Sequence, residues 1–178
     1  MSYSNFVTNQ NQLLSEISSK IMPMTQDLDV LVGYFYFSGF REIYENLIDK
    51  KVQILVGMDI GIDINNKAVE INCDNKNASV SNQRYKYFEQ IRSVINQTDE
   101  FDTAQTPKAW KVFIDKIQDG TLVIHRTREN NHSKVYLFHH LEDQKILSGA
   151  DGIVITGSSN LSYSGMSGRH EANVILYN

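Results

Sequence analysis

This sequence has little of several features that usually define a protein class. It contains one cysteine, Cys73, so an intramolecular disulfide is excluded and a reducing compartment is expected. No apolar run approaches the roughly 20 residues that span a bilayer, and the first residues do not follow the basic-then-apolar order of a signal peptide. Two prolines in 178 residues, without any low-complexity tract, argue against disorder. We therefore predict a folded, cytoplasmic protein without a membrane segment.

The sequence also lacks a strong excess of charge, because its formal net charge is −4. It therefore has no global basic field of the kind that indicates a nucleic-acid binder. The charge is uneven, however, and segment 108–134 holds six basic against three acidic residues, which leaves it locally at +3. Its basic residues are Lys108, Lys111, Lys116, Arg126, Arg128 and Lys134. This patch suits a phosphate-bearing ligand, and the alternative is an ordinary solvated surface.

The first half of the chain predicts a parallel βαβ unit. The run LDVLVGYFYF (28–37) is apolar over too long a stretch for a half-exposed strand, which is typical of a central buried strand. The run KVQILVGM (51–58) predicts a second apolar strand. One helix face between them carries four apolar residues, Phe40, Ile43, Tyr44 and Leu47. We expect Ser38 to cap this helix. Strand, helix and strand within about 30 residues are the signature of parallel pairing.

Further helices and strands complete an α/β pattern. One helix stops at Pro23, another covers 87–95, and a third begins at Thr106–Pro107, where a hydroxyl precedes a proline at the first helical position. The pattern then changes to the strand period of two, with a polar, hairpin-like connection at 139–151. Four strands are predicted in this part, at 121–127, 133–138, 152–158 and 171–177. We predict one α/β domain over 1–178, with a mixed, mostly parallel β-sheet flanked by helices.

The candidate site residues come from two short stretches, HSKVYLF and GSSNLS. His132 and Lys134 are two apart, so on a strand they project from the same face. Ser158 and Asn160 have the same spacing. If the two strands are neighbours, one site receives an imidazole, an ammonium, a hydroxyl and an amide. Phosphoryl transfer needs such a set of a nucleophile and donors to developing negative charge.

A carboxylate and a metal are the two possible additions to this set. Glu171 opens the last predicted strand, and its carboxylate can bond one imidazole nitrogen and leave the other free to attack. The alternative is a solvent-facing glutamate. All five histidines fall between His125 and His170, which raises zinc as a hypothesis. Their spacing matches no standard zinc motif and no cysteine lies among them, so we predict no metal site.

HSK followed by GSSNLS and a downstream glutamate resembles the HxK…GSxN motif of the phospholipase D superfamily. The run GYFYFSGF, followed by KVQILVG, HSKVYLF and GSSNLS, further resembles the phospholipase D-like domain at the N-terminus of bacterial Swi/Snf-type helicases and some restriction nucleases. The resemblance implies a phospholipase D-like fold. It also implies that this chain can be the N-terminal part of a longer protein with a C-terminal helicase domain.

The resemblance implies a role for each motif residue. His132 would attack phosphorus and form a phosphohistidine. Lys134 and Asn160 would hold the phosphate oxygens. Ser158 would bond within the site, and Glu171 would orient an imidazole. The chemistry of this family needs no metal or other cofactor, but it needs two motifs, because a second histidine protonates the leaving oxygen.

This chain carries one motif, and single-motif members of the family form two-fold dimers in which each subunit supplies one motif. We therefore predict a homodimer whose active site lies on the two-fold axis. The sequence departs from the family pattern in two ways. His139 stands where the pattern has an aspartate, with Asp143 nearby but out of register. The gap between Lys134 and Gly157 is also longer than usual.

Together these features predict a metal-independent phosphodiesterase that acts on nucleic acid, with DNA as the favoured substrate. The first alternative is a catalytically weak module that binds DNA or dimerises a helicase or restriction enzyme, which the missing aspartate favours. The second alternative is a phospholipid hydrolase, although the sequence offers no amphipathic interfacial helix. It contains no GxxxxGK[ST] motif either, so we do not expect ATP hydrolysis by this chain.

Overall fold

The computed structural model describes the backbone of residues 5–64, 67–70 and 105–177, and the side chains of 5–58 and 107–177. The predicted helix at 87–95 and Cys73 lie outside the described residues. Residues 67–70 form a short strand.

The described residues form eight strands and four α-helices. The strands are β1 Phe6–Thr8, β2 Thr25–Tyr36, β3 Lys51–Ile64, β4 Lys67–Glu70, β5 Leu122–Arg126, β6 Val135–His140, β7 Gly152–Gly157 and β8 Ala172–Tyr177. The α-helices are α1 Leu14–Ile21, α2 Phe37–Ile43, α3 Gln105–Asp119 and α4 Glu142–Ser148. Short 3-10 turns at Met22–Met24 and Tyr44–Leu47 and a π-helical turn at Ser164–Gly168 complete the structure. None of these helices has the length and apolar character needed to cross a bilayer.

All eight strands belong to one mixed sheet flanked by helices, as predicted. The order is β1-β8-β7-β6-β2-β3-β4, and β5 pairs with the first half of β3. The expectation of mostly parallel pairing is wrong, since only β2–β3 and β3–β5 are parallel among the described pairs. Parallel pairs require long crossovers, whereas the short connections between β6, β7 and β8 join antiparallel strands.

The core lies between one face of the sheet and helices α1 to α3. Leu28, Val30 and Val32 of β2 are buried and alternate with partly exposed residues on the other face. Phe40 of α2 meets Phe113 of α3 above them, edge to face, with ring centroids 5.1 Å apart. The parallel pair β2–β3 with α2 between them confirms the predicted βαβ unit.

Two local predictions are wrong. Ser38 does not cap α2, because the helix begins at Phe37 and the Ser38 hydroxyl instead accepts a hydrogen bond from the Tyr163 amide at 3.2 Å. The connection at 139–151 is not a plain hairpin, because it contains α4. No residue of α4 is buried, so the helix has no apolar face that a sequence pattern would reveal.

Helix α2 packs directly against the chain that follows β7. A Cβ atom on Gly39 would lie 2.3 Å from both the Leu161 carbonyl carbon and the Ser162 amide nitrogen. Contacts this short are not compatible with any side chain at that position. The glycine therefore sets how closely α2 approaches the segment that carries GSSNLS.

We predict that Gly39→Ala destabilises the fold. In an exposed helix interior this change would add up to about 1 kcal/mol of stability. Here the methyl group overlaps backbone atoms, and overpacking costs about 1–3 kcal/mol. The free energy of unfolding, measured by urea denaturation, should therefore fall by about 1–2 kcal/mol. As a control, Arg41→Ala in the same helix should change it by less than about 0.5 kcal/mol. A Gly39→Ala protein as stable as the parent would show that this close packing does not exist.

Candidate active site

The ends of four strands meet at one edge of the sheet. β6 is antiparallel to β2 and to β7, and β7 is antiparallel to β8. The carboxyl ends of β2 and β7 therefore lie beside the amino ends of β6 and β8. The residues that sequence analysis selects precede β6, follow β7 and precede β8, so the topology brings all five to this edge.

The loop after β7 crosses to β2. Pairing between β2 and β6 ends at Leu31 and Val135, which leaves the last residues of β2 available on that side. Leu161 occupies this place: it forms a parallel bridge with Phe35, and its carbonyl accepts the Tyr36 amide at 2.9 Å. Asn160 is thereby carried to the end of β2.

His132 and Asn160 meet over Gly33. A Cβ atom on Gly33 would lie 2.9 Å from His132 Cδ2 and 3.5 Å from Asn160 Oδ1. Any other residue at position 33 would therefore displace the imidazole. Asn160 Oδ1 accepts the Tyr34 amide at 2.9 Å, and no described residue accepts from Asn160 Nδ2. The two amide hydrogens thus remain for an anionic oxygen of a ligand.

The loop that carries His132 is fastened to β3. The Thr127 amide donates to the Val56 carbonyl at 2.9 Å, and the Asn131 amide donates to the Gly57 carbonyl at 3.0 Å. Asn131 Oδ1 in turn accepts the Ser133 amide at 2.7 Å, which fixes the backbone on both sides of His132. His132 itself is exposed to solvent, although its loop is hydrogen-bonded to the sheet.

Lys134 lies beside His132, although not as strand geometry predicts. Because β6 begins at Val135, neither residue belongs to a strand, and the shared strand face does not exist. Lys134 is instead 5% exposed, and its ammonium donates to the His132 carbonyl at 2.5 Å. Burial lowers the pKa of the Lys134 ammonium below its ordinary value, while the nearby Glu171 carboxylate opposes this shift.

Glu171 and Ser158 form a hydrogen-bonded pair. The Ser158 hydroxyl donates to Glu171 Oε2 and accepts the Ala172 amide at 3.0 Å. Within the described residues, Ser158 is the hydrogen-bond partner of Glu171. Burial raises the pKa of the Tyr136 hydroxyl above its ordinary value, and the Glu171 carboxylate raises it further. Ser158 therefore orients the carboxylate beside Lys134. The expected contact between Glu171 and an imidazole stays a prediction.

His139, which stands at the usual aspartate position, lies away from this edge. It is near the far end of β6, where its Nε2 is 2.9 Å from Asp29 Oδ2 of β2. Asp143 lies in the exposed helix α4. The histidine at the usual aspartate position therefore affects the contact between His139 and Asp29, and not the candidate site. Among the described residues, no three His, Cys, Asp or Glu side chains come together as a metal site would require.

The residues that hold the site together are not apparent from the sequence. Gly33 and Gly57 permit the close contacts with His132 and Asn131, and Tyr34 holds the Asn160 side chain. Their local sequence, VGY and VGM, looks like ordinary strand. The available signal is that each of the two predicted buried strands contains a glycine, which is unfavourable within a strand unless another group approaches closely.

We predict that Glu171→Gln lowers the pKa of Lys134 further. The carboxylate favours the charged ammonium, so its removal leaves the effect of burial unopposed and the amine loses its proton at lower pH. The measurement is an NMR titration of the Lys134 side chain. As a control, Glu129→Gln changes an exposed glutamate in the loop before β6 and should leave the titration midpoint in place. An unchanged midpoint in Glu171→Gln would show that the two groups are not electrostatically coupled.

The chain matches a known protein family over most of its length. The family described as "Cardiolipin synthase, PLD-like domain" matches residues 17–178. No curated protein matches the chain. Among solved structures, NucT from Helicobacter pylori is similar, with a TM-score of 0.41 and 14% sequence identity over 96% of this chain and 84% of that chain. The family match extends from α1 through β8 and includes every residue of the candidate site, so the chain belongs to the family of phospholipase D-like domains.

Proposed function

We propose that this chain is a phosphodiesterase that cleaves nucleic acid, with DNA as the favoured substrate, through a phosphohistidine on His132. The observation that carries the proposal is the meeting of the His132 ring and the Asn160 amide over Gly33, with the Lys134 ammonium bonded to the His132 backbone. An accessible imidazole beside donors for anionic oxygens supplies what attack on phosphorus requires.

In the first step, a ring nitrogen of His132 donates its lone pair to phosphorus. The bond between phosphorus and the leaving oxygen breaks, and the electron pair stays on that oxygen. Lys134 and Asn160 donate to the non-bridging oxygens as charge develops there. The leaving oxygen takes a proton from a second, protonated imidazole acting as general acid.

In the second step, water attacks phosphorus and gives its proton to the now neutral second imidazole. The bond between phosphorus and nitrogen breaks, and its electron pair returns to His132. One water is consumed, and both histidines regain their first protonation state. Every atom and proton in this sequence is supplied by histidine, substrate or water. Because Lys134 and Asn160 stabilise the developing charge, the proposed mechanism gives no role to a metal.

The second imidazole is the reason for proposing a homodimer. At the described site edge, His132 is the one histidine placed next to Asn160, and a two-fold axis through this edge would bring in His132 of the partner subunit. Glu171, oriented by Ser158, would then be available to fix one of the two imidazoles, which is the role the family motif implies.

The choice of nucleic acid is supported by basic residues at the same edge. β5 runs parallel to β3 and β2, so its carboxyl end points to the site edge. Arg126 ends this strand, Arg128 follows it, and Arg169 lies in the loop before β8; all three are exposed. Such positive charges suit the phosphate backbone. The resemblance to helicase-linked domains further suggests a role beside a DNA motor in a longer protein.

The decisive experiment is hydrolysis of single- and double-stranded DNA and of a simple diester in excess EDTA. We expect activity in the parent protein and a loss of at least about a thousand-fold in His132→Ala, because the nucleophile is gone. His125→Ala removes an exposed histidine of β5 and should retain activity. Activity that disappears with EDTA, or persists in His132→Ala, would overturn the mechanism. No hydrolysis with DNA binding intact would favour the alternative, a catalytically weak binding module.

A mixing experiment tests whether the two histidines come from two subunits. Parent and His132→Ala chains are unfolded together, refolded in varied ratios and assayed at constant total protein. If each active site needs two copies of His132, activity should follow the square of the parent fraction, because only parent–parent dimers are active. A linear dependence would show that each subunit acts with its own residues. Mixing with His125→Ala chains should leave activity unchanged at every ratio.

A further inference from the structure

Aromatic residues at the end of β2 divide between the two sides of the strand. Phe35 of β2 and Phe37, the first residue of α2, are buried, at 0% and 3% exposure, and pack with Phe113. Tyr34 and Tyr36 alternate with them and are both partly exposed. The core thus takes the phenylalanines, while the two tyrosines lie on the other side of the strand.

The two tyrosine rings are arranged in parallel beside the candidate nucleophile. Their centroids are 6.5 Å apart and their planes differ by 20°. Two residues along a strand advance by about 6.6 Å, so the strand itself fixes this spacing. The Tyr34 ring also meets the His132 ring edge to face, with centroids 6.0 Å apart and planes at 82°.

The backbone that carries the two tyrosines is fixed to the candidate site. The Tyr34 amide holds Asn160 and the Tyr36 amide holds Leu161, so the backbone that carries the rings is fixed to the loop that carries the phosphate donor. The backbone of Tyr34 and Tyr36 and the loop that carries Asn160 are therefore held in one relative position. A phosphate held at His132 and Asn160 would lie beside the Tyr34 ring, which in turn neighbours the Tyr36 ring.

We propose that Tyr34 and Tyr36 form a stacking platform for unpaired bases, which makes single-stranded nucleic acid the substrate class of this site. Every base has a flat face that stacks on an aromatic ring, so such a platform accepts any sequence. In a duplex the bases are already stacked on one another and their faces are covered. This inference rests on the proposed function, because it takes the phosphate to be held beside His132.

The test measures binding in a His132→Ala background, which does not cleave. Fluorescence anisotropy gives the dissociation constant for oligothymidylate of about ten nucleotides and for an abasic deoxyribose-phosphate strand of equal length. We expect tighter binding of oligothymidylate. Tyr36→Leu should weaken oligothymidylate binding by about ten-fold and leave the abasic strand unaffected. Tyr36→Phe keeps the ring and should keep the affinity.

Three results would overturn the platform. The first is equal binding of the two strands by the parent protein. The second is a Tyr36→Leu variant that binds oligothymidylate as the parent does, or that loses both strands together, because the ring would then support the fold instead of the bases. The third is equal dependence on Tyr36 for a duplex. A different result would separate the two proposals. If the protein with His132 intact does not hydrolyse DNA but binding still depends on the bases, the phosphodiesterase proposal is overturned and the platform remains.

Discussion

The hydrogen bond from the Tyr36 amide to the Leu161 carbonyl is the interaction on which the candidate site depends. Where β6 turns away from β2, the end of β2 would present unpaired backbone groups, and such groups are costly inside a protein. Leu161 supplies the missing partner at 2.9 Å. The same contact draws Asn160 over Gly33 and beside His132. Completing the sheet and assembling the site are therefore one event.

Burying the Lys134 ammonium at the site lowers the stability of the fold. An ammonium loses favourable hydration when it is buried, and Lys134 is among the most buried polar residues described. The His132 carbonyl and the Glu171 carboxylate offset part of this cost without restoring the ordinary pKa. A buried charge of this kind interacts more strongly with a phosphate than a solvated one, because less water screens it. Under the proposed function, the stability lost by burying Lys134 would be offset by a stronger interaction with the phosphate.

Local patterns were sufficient to predict most elements and the parallel pairing of β2 with β3, but not the direction of the remaining strands. The apolar runs of β2 and β3 and the period of two in β5 to β8 are visible in the sequence, because burial selects residue types at fixed spacing. The direction of β6 to β8 depends on how chain segments are connected in space. The helix α4 has no buried residue, so no apolar face in the sequence indicates it.

The same division holds for the site. The residues of HSK and GSSNLS could be selected because their chemistry is unusual for strand ends. The contact of Tyr34 with Asn160 joins residues 126 positions apart, and no short pattern encodes it. The prediction that His132 and Lys134 share a strand face failed for a related reason, since the strand begins one residue after Lys134.

The fastening of both loops to the sheet has a consequence for the lifetime of the site. The amides of Thr127 and Asn131 are bonded to β3, and those of Tyr34 and Tyr36 are bonded to the loop after β7. A loop that is free to fray opens with little free energy, whereas the central strands of a sheet open only when the whole domain does. The loops that carry His132 and Asn160 are hydrogen-bonded to such strands. Their arrangement should therefore persist for as long as the domain stays folded, without local opening to limit it.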